Sequence, residues 1–155
     1  MTTRAAIAGL AILAALTGWL GWRDVDVRRA ESMREQMLAA GRAGLLALTT
    51  IDHQQVDADV QRILDASTGE FRDDFVRRAE SFKEAARTAQ SKSVGTVTEA
   101  AVESAEGDQG RVLVALTVMT SNRGAAERRP KFWRTRVTVS RESGEFKVAA
   151  VEFVP

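Results

Sequence analysis

Cysteine and tyrosine are absent from the 155 residues, and histidine occurs once, as His53. Without thiols there is no disulfide framework, no Cys-ligated zinc and no thiol nucleophile. The shortage of His and Tyr removes the commonest general base and a common acid or oxyanion donor. Phosphate-cradling loops are also missing, since neither Gly-x-Gly-x-x-Gly nor a Walker pattern occurs, and no Ser sits in a Gly-x-Ser-x-Gly frame. Charge of one sign is not in excess. The 22 Lys and Arg against 21 Asp and Glu leave a formal net charge of +1, so no global field selects nucleic acid or an acidic substrate. The composition therefore predicts a chain that is not an enzyme and needs no cofactor, with room for one domain plus an appendage.

What the sequence does have is an uncharged opening run. Ala5 to Trp22 reads AAIAGLAILAALTGWLGW between Arg4 and Arg23. As a helix it spans about 27 Å, the thickness of a bilayer core. Trp19 and Trp22 are placed for the headgroup level at its end. Gly9, Ala11, Ala15 and Gly18 supply small side chains for close packing against another membrane helix. The expected layout is a short tail over residues 1–4, a transmembrane helix over 5–22 and a helical stalk or first domain helix over 23–50. An α+β domain follows over 51–155. A cleaved signal peptide is the rival reading, but Gly18-Trp19-Leu20-Gly21-Trp22 is a poor cleavage context. Arginines on both sides of the run leave the orientation to other arguments.

Behind the anchor the apolar spacing is helical, then strand-like. Ala30, Met33, Met37, Gly41, Leu45 and Leu48 fall on one face of a first helix. A second helix is predicted over Val56 to Ser67, closed by Gly69 in the left-handed region. A third is predicted over Glu70 to Ser91. Its stripe of Phe71, Phe75 and Phe82 marks it as the main core helix. Four strands follow: Ser93–Ser104, Arg111–Ser121, Lys131–Glu142 and Glu145–Val154. Ser143-Gly144 reads as a two-residue hairpin turn. Short connections favour an antiparallel meander, and the helices must cover one of its faces. In the third strand Trp133 shares the core face with Thr135, Val137 and Val139.

Few residues suggest chemistry. His53 sits beside Asp52 but has no nucleophile, and Asp57 and Asp59 do not share a helical face, so a solvated or capping role is expected for this group. Asp73 and Asp74 precede Arg77 and Arg78 by four, as exposed ion pairs do. The segment from Arg123 to Arg136 is locally basic. Arg123, Arg128, Arg129 and Lys131, with Phe132 and Trp133 among them, are candidates for contact with a partner or an anionic headgroup. Nucleic acid is not an expected partner.

Particular stretches resemble a known family. They are Ala47-Leu48-Thr49-Thr50 followed by Asp52, then Asp57-x-Asp59, then Thr68-Gly69-x-Phe71-Arg72-Asp73, and the late Ser143-Gly144 hairpin. Together with the opening anchor they resemble the mammalian-cell-entry-associated (Mce-associated, or Mam) membrane proteins of mycobacteria and other actinobacteria. Two features depart from that pattern. Ile51-Asp52-His53 stands where members often carry aromatics, and four residues stand where many carry a long polar tail. The resemblance implies an NTF2-like cone behind the anchor, with helices on a curved four-stranded antiparallel sheet. It implies a single-pass protein of the cell membrane with its C-terminal domain on the extracytoplasmic side. The implied role is that of an accessory subunit touching the permease helices and Mce proteins of a lipid or sterol importer. The alternative is a membrane-anchored lipid-binding module whose pocket is lined by Phe75, Phe82, Trp133 and Phe153.

Overall fold

The computed structural model describes residues 27–124 and 130–154. The expected anchor, with its packing residues Gly9, Ala11, Ala15 and Gly18 and its interface residues Trp19 and Trp22, lies outside the described residues. No helix among the described residues is long and apolar enough to cross a membrane. The chain divides into two compact units, Met1–Glu35 and Gln36–Pro155. In the first unit, residues 27–35 are helical and, apart from half-buried Met33, exposed.

The second unit begins with helix α1 (residues 36–49), followed by strand β1 (Ile51–Asp52), helix α2 (Val56–Asp65) and helix α3 (Gly69–Ala89). Strands β2 (Lys92–Glu106), β3 (Gln109–Ser121), β4 (Pro130–Glu142) and β5 (Glu145–Phe153) complete it. The sheet has five strands in the order β1-β2-β3-β4-β5, all antiparallel. Four strands were expected from the sequence. The fifth, β1, is two residues long, paired only through Ile51 with Ser93 and Asp52 with Lys92, and too short to produce an alternating pattern.

The meander follows from period-two alternation. In β3, Gly110, Val112, Val114, Leu116 and Val118 are buried while the residues between them are exposed or half-buried. In β4, Thr135, Val137 and Val139 are buried on the same inner face, with Trp133 half-buried beside them. Ser143 and Gly144 both have positive φ, 52° and 90°, as a primed two-residue turn requires. Bulges at Val97/Glu99 and Val102/Ser104 in β2 and at Thr138/Val139 in β4 bend the strands.

Helix α1 lies against that inner face. Met37, Gly41 and Leu45 of the expected stripe are buried and Leu48 is half-buried, while Ala47, off that stripe, is buried on the side of α2 and α3. Covering each large side chain contributes about 1.5–3 kcal/mol. The approach is close because glycines stand at the contacts. A Cβ on Gly41 would come within 3.1 Å of Val112 Cβ, and one on Gly44 would overlap Val148 Cγ2. From the other side, Gly95 of β2 leaves space for Thr49, whose hydroxyl donates 2.7 Å to the Leu45 carbonyl and closes the helix.

Helix α3 is therefore not the main core helix. It packs on α2 and the β5 side, and only Ala79 and Ala86 of its stripe are buried. Phe71, Phe75 and Phe82 are half-buried, because α1 already occupies the sheet face. A second cluster joins Ala47 and Ile51 to Val56, Val60 and Ile63 of α2 and to Ala79 and Ala86 of α3. Helix α2 ends at Asp65, capped by Ala66, so Gly69 (φ 58°) opens α3 rather than closing α2. The link between them joins the sheet edge: Thr68 N–H donates 2.8 Å to the Val148 carbonyl, and Val148 N–H donates 2.9 Å to the Ala66 carbonyl. Helix α3 ends with Gln90 in the left-handed region and Ser91 N–H bonded 2.9 Å to the Ala86 carbonyl.

The Gly44 contact makes a size-swap prediction. Gly44→Val lowers the unfolding free energy by about 2–3 kcal/mol through overpacking. Val148→Ala in the same chain recovers part of that loss, with a coupling of about 1 kcal/mol or more. Urea unfolding of both single variants and the double variant measures it, and strictly additive effects would show that the two positions do not meet.

Candidate functional site

The sequence-derived candidates fall in three places. The first is the helical side. Phe75 and Phe82 stack at 5.7 Å between centroids, tilted by 57°. Phe82 also lines a groove of about 310 Å3 formed with Leu48, Ile51, Ala85, Ala86, Ala89, Ser91 and Ser93. The apolar walls come from the end of α1, from Ile51 of β1 and from the last turns of α3, with Ser91 just before β2 and Ser93 near its start. Trp133 and Phe153 form a separate pair, edge to face at 5.4 Å, on β4 and β5. Phe153 is 69 % exposed. The four aromatics named as one lining are thus arranged as two pairs.

The second place is the basic segment. Arg128 and Arg129 lie outside the described residues. Arg123 is exposed, and its backbone N–H donates 2.9 Å to the Ala89 carbonyl, tying the loop to the end of α3. Lys131 is exposed at the start of β4, and Phe132 beside it is 79 % exposed. Arg134 and Arg136 continue along the strand on the face away from the helices.

The third is the acidic group around His53. Asp52 binds Lys92 Nζ at 2.7 Å and accepts the Gln54 N–H at 3.0 Å. The lysine first, and then that amide, hold its carboxyl below the usual carboxylate range. His53 Nδ1 is buried 3.6 Å from Asp52 Oδ1 without a hydrogen-bond partner among the described residues. Asp59 is 2 % exposed, accepts the Asp52 N–H at 2.7 Å and pairs with Arg62. Asp57 instead reaches α3, with Lys83 at 3.2 Å and Arg87. The lysine, followed by the arginine, lowers its pKa. The Asp57-x-Asp59 pattern therefore has two structural jobs, one side chain turned inward and one bridging helices. On α3, Asp74 rather than Asp73 takes both Arg77 and Arg78. No group of three metal-ligating side chains occurs among the described residues.

Sequence reasoning missed the buried position of Asp59 and the outer-face network in which Arg136 binds Glu103 twice, at 2.7 and 2.8 Å. The alternation of β4 was the available signal for the network, since it sets Arg134 and Arg136 opposite Trp133. Nothing local signalled Asp59, because its partner is a backbone amide seven residues away.

These carboxylates give a pH dependence. A carboxyl whose pKa is lowered in the folded state stabilises that state above the unfolded pKa, and this contribution is lost as pH falls through the folded pKa. Stability therefore declines below about pH 4. Lys92→Met raises the folded pKa of Asp52 toward its unfolded value, so the variant is less stable at neutral pH but loses less on acidification. Urea midpoints followed from about pH 7 to about pH 3 test this; parallel curves for the two proteins would count against it.

With this geometry in place, comparison with known proteins adds the following. Residues 1–155 match the sequence family described as uncharacterized protein Rv1363c/MT1408-like. An uncharacterized protein of Mycobacterium tuberculosis, Rv1363c, is 36 % identical over 140 residues, which are 90 % of this chain and 54 % of that protein. The chain thus spans about half the length of that relative. An IcmL-like type IV secretion system protein of Legionella pneumophila superposes with a TM-score of 0.62 at 12 % identity, covering 79 % of this chain and 92 % of that one. The periplasmic domain of DotI gives 0.57 at 13 % identity, covering 76 % and 92 %. Neighbours of this kind are NTF2-like cones, and helices on a curved antiparallel sheet are that fold.

Proposed function

We propose, for a chain that belongs to the Rv1363c/MT1408-like family, a role as a non-enzymatic accessory subunit of an Mce lipid or sterol importer. In this reading the stretch from Ala5 to Trp22 holds the protein in the cell membrane as a single pass. Its small residues pack against permease helices, and the cone docks on extracytoplasmic parts of the transporter. The observation that carries the reading is the pairing of that uncharged stretch with a domain of this fold. The fold is shared with a protein described as a periplasmic domain and another described as part of a secretion system. The short motifs around Asp52, Asp57 and Gly69 supply the resemblance to Mce-associated proteins. Their structural roles, in a strand pair, an interhelix bridge and a helix start, suit a scaffold that presents surfaces rather than chemistry. The lone histidine has no nucleophile beside it, which also suits a binding role.

Affinity capture of the full chain from native membranes in mild detergent tests the reading. Co-recovery of permease and Mce proteins is the expected result, and recovery of the chain alone overturns it.

The groove at Phe82 favours a second reading, a lipid-binding module. It is apolar along its helical walls and close in size to the lower end of small-molecule sites. Under this reading native mass spectrometry of the detergent-purified chain shows a bound lipid, and Ala86→Phe, which narrows the groove, abolishes it. An unliganded wild-type spectrum removes this alternative.

A further inference from the structure

The sheet face turned away from the helices holds a depression with two unpaired charges at its rim. Glu99 on β2, Ala115 on β3 and Arg134 on β4 stand in one cross-strand row. The depression between the charges has a volume of about 250 Å3, and Ala101, Leu113, Ala115 and Val154 give it an apolar floor. At the Leu113 end, Arg136 binds Glu103 across β3, and Glu152 stands 3.7 Å from the same guanidinium. That chain of ion pairs closes one end. In the other direction the face continues past Thr117 to Phe132 (79 % exposed), Met119 (39 %) and Val94 (44 %). Glu99 and Arg134 themselves bind neither each other nor any other side chain among the described residues. Apolar side chains left exposed together beside such a depression mark a contact surface rather than a solvated one.

We propose that this depression binds the headgroup of a zwitterionic phospholipid that carries a primary ammonium, as phosphatidylethanolamine does. The site is separate from the groove at Phe82. Side chains stand up from a sheet, so residues on strands separated by one neighbour hold their charges about 10 Å apart. Two charge-assisted hydrogen bonds take up about 2.8 Å each, which leaves about 4–5 Å between the ligand's own charges. A phosphate and an ammonium joined by a two-carbon link have that spacing. The planar fork of Arg134 can donate two bonds to the phosphate. The Glu99 carboxylate only accepts, so it favours a primary ammonium, which donates, over a trimethylated one, which does not. An anionic headgroup would set a like charge against Glu99, and a cationic one would do the same to Arg134. The ion pairs at the Leu113 end leave the acyl chain one direction, over Ala115 and Thr117 toward Phe132 and Met119. Lying there, it takes the exposed ring and thioether out of water.

Native mass spectrometry of the full chain in mild detergent, titrated with lysophosphatidylethanolamine, tests the proposal. One bound molecule is expected, held about tenfold more tightly than lysophosphatidylcholine or than phosphoethanolamine without a chain. Glu99→Gln removes the preference over the choline lipid, and Arg134→Gln weakens binding about tenfold or more. Glu99→Lys turns the preference toward the anionic lysophosphatidylglycerol. Both positions are exposed, so urea midpoints of these variants stay close to wild type. Ala86→Phe, which narrows the groove at Phe82, leaves this binding unchanged, so the two sites fail separately. The proposal is overturned by a wild type that binds no lysolipid, or that binds the ethanolamine and choline lipids equally. Glu99 and Arg134 variants that bind as wild type does would place the lipid elsewhere, and so would loss of binding in Ala86→Phe; either result also overturns it. Equal binding of chainless phosphoethanolamine would show a site for a free phosphate compound and overturn the assignment to a lipid.

Discussion

The close approach of α1 to the inner face of the sheet is the constraint on which the rest of the second unit depends. Ordinary helix-on-sheet packing keeps two layers of side chains between backbones. Here Gly41 and Gly44 on the helix, and Gly95 on β2, remove one layer at three contacts. The helix settles into the curve of the meander, and Met37 and Leu45 are buried, as are Val112, Val114 and Val137 of the inner face. Because α1 fills that face, α2 and α3 are displaced to the side. They pack on each other, with α3 also against β5 and α2 against β1.

That displacement explains the character of the helical side. A helix with three phenylalanines on one stripe would normally carry a core, yet α3 buries two alanines and leaves its rings half-covered. The contact between α2 and α3 is completed by polar links, with Asp57 joined to Lys83 and Arg87, and Asp59 drawn inward to the Asp52 amide. The groove beside Phe82 is a consequence of the same geometry. Small residues at Ala85, Ala86 and Ala89 leave a space that a larger side chain would have filled.

The two faces of the sheet have divided tasks. The inner one is apolar and satisfied by the helix. The outer one has apolar residues at its centre and opposite charges on its flanks, and no helix among the described residues covers it. An outer face left open in this way suits the accessory role proposed above.

The sequence by itself determined much of this. The α-then-β order, the Ser143-Gly144 turn and the alternation of β3 and β4 are local, so they were legible without any partner. The burial of Met37, Gly41 and Leu45 was also legible, since a 3.6-residue period marks a face whatever it packs against. The sequence could not show which helix takes the sheet. That choice depends on glycines at 44 and 95 meeting Val148 and Thr49, residues distant in the chain, and glycine spacing carries no signal of its own. Strand β1 was hidden because two residues make no pattern, and Asp59 because its partner is a backbone amide across a turn. The candidate site divides in the same way. The basic residues of β4 were visible as a run, but their position opposite Glu99 and Glu103 exists only once β2, β3 and β4 are in register, because a cross-strand row is set by tertiary pairing.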